Sequence, residues 1–67
     1  MFYVVVVTEQ GSPCDYVYPR ETRDRAISLA KHQRKSRYAV VFDENKQKVF
    51  EHGTPPSWEV KFSDYIH

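Results

Sequence analysis

The chain has 67 residues and a net charge of +1, with 40% hydrophobic and 28% charged residues. That length admits one domain, residues 1–67, and the composition excludes a disordered chain. Cys14 is the only cysteine, so an intramolecular disulfide and a cysteine-cluster zinc site are both excluded.

The opening MFYVVVVTEQ lacks the basic region and small-residue cleavage site of a signal peptide. Its apolar run, Phe2–Val7, is too short to span a bilayer. A soluble, cytoplasmic protein without a membrane partner is therefore expected, and a lone thiol fits a reducing compartment. Phe2–Thr8 is rich in β-branched residues and bounded by Gln10-Gly11-Ser12-Pro13, which predicts a strand. Because it is apolar at consecutive positions, both of its faces call for burial. Asp15–Tyr18 reads as its hairpin partner, with Gly11–Pro13 as the loop and Pro19 as the stop.

A helix follows over about residues 22–35. Thr22 can serve as N-cap, and Asp24 places a negative charge in the first turn, where the helix dipole favours it. Ala26, Ile27, Leu29 and Ala30 recur at helical spacing and form the buried face. The cations are spread around the exposed arc, so they make no stripe. They gather at the carboxyl end instead, as Lys31, Arg34, Lys35 and Arg37, and the helix is expected to stop before Arg37.

Tyr38–Asp43 predicts another strand. Asp43-Glu44-Asn45-Lys46 supplies a turn in which Asn45 is able to take positive φ, and Gln47–His52 returns antiparallel. Gly53-Thr54-Pro55-Pro56-Ser57 forms a Pro-rich turn over 53–57. Beyond it, Trp58, Val60 and Phe62 alternate with Glu59, Lys61 and Ser63, the pattern of a half-buried C-terminal strand within Trp58–His67. The fold class is therefore a small two-layer α+β domain. One helix packs on a mainly antiparallel sheet, in the order β-β-α-β-β, with a further strand at the carboxyl end.

A helix of about 14 residues is roughly 21 Å long and covers about two strands. Yet Tyr38, Val40 and Phe42 point to one face while Ala39 and Val41 point to the other, and Val49 and Phe50 are likewise expected on opposite faces. One apolar face then lacks a helix. Either the aromatic tail folds over it or a second protein does. Tyr38, Phe42, Trp58, Phe62 and Tyr65 are the candidate aromatic interface.

Charge is two-sided along the chain. Residues 20–37 hold seven Lys or Arg against Glu21 and Asp24, giving +5, while the remainder holds three Lys against seven carboxylates, giving −4. Lys31, Arg34, Lys35 and Arg37 are the candidate contacts to an acidic partner or to phosphate. A base-stacking platform is disfavoured, because Arg37-Tyr38-Ala39-Val40-Val41-Phe42 has neither the glycine nor the central aromatic that RNA-recognition sheets use. No glycine-rich phosphate loop or nucleophile motif is present, and His32, His52 and His67 are scattered, so no catalytic residue, cofactor or metal is assigned. The expected function is a non-catalytic protein-interaction module, an inhibitor or accessory factor acting on a larger macromolecule. A homodimer also fits, and the alternative is nucleic-acid binding through the basic helix end.

Overall fold

A computed structural model describes residues 1–7 and 16–65. Thr8, the predicted loop Gly11–Pro13, Cys14 and His67 lie outside the described residues. The elements are β1 (Phe2–Val7), β2 (Tyr16–Arg20), α1 (Arg23–Lys31), β3 (Tyr38–Phe42), β4 (Lys48–His52) and α2 (Phe62–Tyr65). The four strands form one sheet in the order β2-β1-β3-β4, and every neighbouring pair is antiparallel. This is the expected small α+β domain. Both β2 and β3 run antiparallel to β1, so the connection between them crosses β1 and carries α1 over one face of the sheet.

Side chains on that face come from alternate strand positions. Val4 and Val6 of β1 and Ala39 and Val41 of β3 meet Ala26 and Ala30 of α1, with Leu29 packed at their margin. Alanine at three of these contact positions keeps side-chain bulk out of the helix–sheet contact. Ile27, expected on the buried face, is only half-buried. Burial of the valines is the main stabilising term, since five are fully buried and each contributes roughly 1.5–3 kcal/mol as an upper estimate.

The helix is shorter than expected, ending at Lys31. Its start matches the prediction, with Thr22 Oγ1 accepting from the Arg25 amide. Its end is set by two side chains that satisfy the last carbonyls. His32 Nδ1 donates to the Ser28 carbonyl at 2.6 Å, and Gln33 Nε2 donates to the Leu29 carbonyl at 3.3 Å. The chain then turns, with the Arg37 amide bonded to the Arg34 carbonyl.

Three further departures concern the strands. Pro19 does not end β2; the strand runs through it to Arg20, with Pro19 opposite Tyr3. An edge strand tolerates this, and the Pro19 carbonyl accepts from Arg20 Nη1 at 2.7 Å, so that residue's backbone faces the open side. In the β3–β4 turn, positive φ falls on Lys46 (67°) and not on Asn45. Asp43 Oδ1 accepts from the amides of Asn45 and Gln47, and the Lys46 amide donates to the Asp43 carbonyl. That is a type I turn followed by one left-handed residue, the geometry of a three-residue hairpin loop. Third, the register shifts between Val41 and Phe42, which pair with Phe50 and Lys48. Val49 is left as a bulged residue, and Val49 and Phe50 consequently both pack on the helix face.

The predicted C-terminal strand is absent. Residues 54–61 form no strand, and α2 is a single turn. Pro55 and Pro56 lack two of the N–H donors that a ladder needs. The one-turn helix brings Phe62 and Tyr65 to one side at i,i+3 spacing, where with Val60 they pack on Val5, Val7, Tyr38, Val40 and Phe42. The tail thus covers the second face within the same chain.

The start of this tail is clasped to the turn after α1. His52 Nε2 donates to the Gln33 carbonyl at 3.2 Å, and the Thr54 amide and hydroxyl both donate to the Lys35 carbonyl, at 3.1 and 3.0 Å. Between them Gly53 sits at φ 92°, where a Cβ would stand 1.8 Å from the Arg37 carbonyl oxygen. Gly53→Ala should therefore lower stability by about 2 kcal/mol or more, measured by urea denaturation, and should speed amide exchange at Arg37 and Thr54.

Candidate functional site

Four of the five candidate aromatic residues line one groove. Its volume is about 440 Å³, and it lies between the β3–β4 surface and the tail. Tyr38 and Phe42 project into it from alternate positions of β3, and both are buried. Phe62 reaches it from α2 and packs edge-on against Phe42 and Tyr3, each at a centroid distance of 5.6 Å. Trp58 stands at the mouth, 41% exposed. Tyr65, the fifth, packs under the tail against the second core and does not line the groove. Tyr38 and Phe42 are consequently core residues with one accessible side, not an open aromatic platform.

Charge surrounds this apolar floor. Lys46, Lys48 and Lys61 line the groove together with Glu51 and Glu59. Tyr38 Oη donates to Glu51 Oε2 at 2.5 Å, and Lys48 Nζ donates to the same oxygen at 3.2 Å. Burial, then the bond to the Glu51 carboxylate, pushes the Tyr38 phenol well above its ordinary value. The bond from Tyr38, then that from Lys48, holds Glu51 below the usual carboxylate range. Lys46 Nζ lies 5.9 Å from the centre of the Phe62 ring, within reach of its negative face.

The predicted basic cluster divides. Lys31 Nζ sits 5.8 Å from the centre of the Phe50 ring, at the margin of the helix-side core. Arg34 and Lys35 are exposed in the clasped turn, and Arg37 is half-buried there. Among the described residues none of the four forms an ion pair. The His32 and His52 rings donate to backbone carbonyls, those of Ser28 and Gln33, where this turn leaves the helix. The clasp at Thr54 places the basic turn beside Pro55, where the groove begins.

The lysines around the groove were not singled out from sequence, because Lys46, Lys48 and Lys61 belong to a hairpin and a tail that meet only after the chain folds back. The alternation that places Lys61 between Val60 and Phe62 was visible. What it lacked was any sign of which surface the tail would cross. A second aromatic row was also missed. Tyr16 and Tyr18 stack at 6.2 Å on β2, and the Arg20 guanidinium lies 5.9 Å from the Tyr18 ring centre, an alternation present in Tyr16-Val17-Tyr18-Pro19-Arg20.

No protein-family model, no curated protein and no solved structure matches the chain. No helix among the described residues is long and apolar enough to cross a membrane.

The Tyr38–Glu51 bond sets a pH dependence. Tyr38 is harder to ionise when folded, so its contribution is complete below the ordinary phenol value of 10.0 and is lost as pH rises above it. Glu51 is easier to ionise when folded, so its contribution is present above the ordinary value of 4.5 and is lost as pH falls through the lower folded value. Tyr38→Phe should cost about 1 kcal/mol near neutral pH, with the gap to the wild type narrowing in alkali beyond the phenol's ordinary value, as read from thermal melts across pH.

Proposed function

We propose that the chain is a non-catalytic protein-interaction module, acting in the cytoplasm as an inhibitor or accessory factor on a larger partner. The observation that carries this reading is the groove beside Trp58, where an exposed indole stands over a floor built by Phe42 and Phe62. Tryptophan is among the residue types enriched where binding energy concentrates at protein interfaces, and here it stands beside a preformed cleft. The closed second face argues against one use of the partner. Among the described residues both sheet faces are covered within the chain, so a homodimer would use a surface other than a bare sheet face.

Crosslinking capture with mass spectrometry tests the reading. A partner captured by the wild-type chain should be lost, or weakened about tenfold or more, by Trp58→Ala with the circular dichroism spectrum unchanged. Capture that is indifferent to both Trp58→Ala and charge removal in the basic turn would overturn it.

A second reading, nucleic-acid binding, draws on the clasped turn, whose pinned backbone presents Arg34 and Lys35 without carboxylate partners among the described residues. The small net charge of +1 weighs against it. Electrophoretic mobility at low and moderate salt separates the two. Replacing Lys31, Arg34, Lys35 and Arg37 with Ala should abolish nucleic-acid binding and flatten its salt dependence if this reading holds.

A further inference from the structure

We propose that the groove receives an acidic peptide segment of the partner, one that inserts a single large apolar side chain flanked by carboxylates. The inference rests on the protein-docking reading and assigns the chemistry of the docked segment. The volume of about 440 Å³ falls within the range of ligand-holding clefts, and Phe42, Val60, Phe62 and Trp58 supply surface that only an apolar group can desolvate favourably.

The charges around that floor decide what flanks the anchor. Of the two carboxylates, Glu51 is engaged on the same oxygen by Tyr38 and Lys48. Lys46 and Lys61 are exposed and form no ion pair among the described residues. Once the Lys48–Glu51 pair is set aside, the groove lining keeps Lys46 and Lys61 against Glu59, a balance of two positive charges to one negative. An anchor with adjacent carboxylates complements these two ammonium groups, one of which, Lys46, lies against the Phe62 ring of the floor. A continuous polyphosphate strand is a poorer fit, because it cannot space its charges to avoid Glu51 and Glu59. Discrete Asp or Glu side chains can.

The chain carries its own reporter, since Trp58 is the single tryptophan and stands at the groove. The intact protein is immobilised and used to select from a displayed library of random heptapeptides. Enrichment of Asp or Glu within two positions of Leu, Phe or Trp is the expected result. A synthetic selected peptide with Leu or Phe as its anchor should shift Trp58 emission and bind more weakly as salt rises. The double variant Lys46→Glu, Lys61→Glu changes only exposed side chains, so its circular dichroism should match the wild type. It should bind that peptide at least about tenfold more weakly and should enrich basic flanks when the selection is repeated.

Selection of basic or uncharged flanks by the wild type, or a charge-reversed variant that binds equally well, overturns the acidic assignment. If Trp58→Ala still abolishes partner capture, the docking reading survives that failure; if capture is also indifferent to Trp58, both fall. Self-association abolished by the double variant, with no peptide enriched, would give the groove to a second copy and also overturn the proposal.

Discussion

Phe62 packs edge-on against Tyr3 and Phe42, and without that contact the sheet would keep one bare apolar face. The central strands β1 and β3 carry valine or aromatic side chains toward both sides, while α1 has only nine residues and covers one of them. The tail must supply the other cover, and it does so with a few large side chains, two of them on the single helical turn α2. Edge-to-face ring pairs of this kind contribute about 0.5–1.5 kcal/mol beyond their buried area, a large share for a domain of this size. The same economy explains the groove. An irregular segment stiffened by Pro55 and Pro56 cannot follow the sheet closely, and the space left between them is the groove.

Much of this was legible in the residues. Strand identities followed from β-branched and aromatic runs bounded by turn residues and the helix from its apolar spacing, and the need for a second cover followed from β3, where Tyr38 and Phe42 oppose Ala39 and Val41. What periodicity could not supply was set by distant partners. The end of α1 depends on His32 and Gln33, and the path beyond it on His52 and Thr54, nineteen residues from the carbonyls they bind. The placement of Val49 and Phe50 on one face required a bulge, which a strict alternation rule cannot contain. The tail looked like a strand because Trp58, Val60 and Phe62 do alternate. Their alternation serves contact with a surface, and no ladder is built on it.

The candidate site shows the same division. Aromatic type was enough to nominate Tyr38, Phe42, Trp58 and Phe62, and folding brings these four to one groove. Charge density was enough to nominate the basic cluster but not to show its division, in which Lys31 turns to the Phe50 ring while Arg34 and Lys35 project from a turn held by the start of the tail. That clasp joins the two surfaces physically. Residues 52–54 hold the basic turn on one side and lead directly into Pro55 at the groove on the other, so displacement of either surface is resisted by the same few hydrogen bonds.

The strand order has a consequence for solubility. Phe2–Val7 is the kind of segment that stacks into cross-β fibres when exposed, being β-branched, uncharged and free of proline. Here it is the inner strand β1, flanked by β2 and β3, and the strands left at the margins are poor templates. On one margin Pro19 interrupts the row of donors, and on the other the bulge at Val49 breaks the regular spacing beside Lys48. A small protein built around an aggregation-prone valine run thus keeps its most adhesive strand internal and leaves its outer strands unfit to recruit another chain.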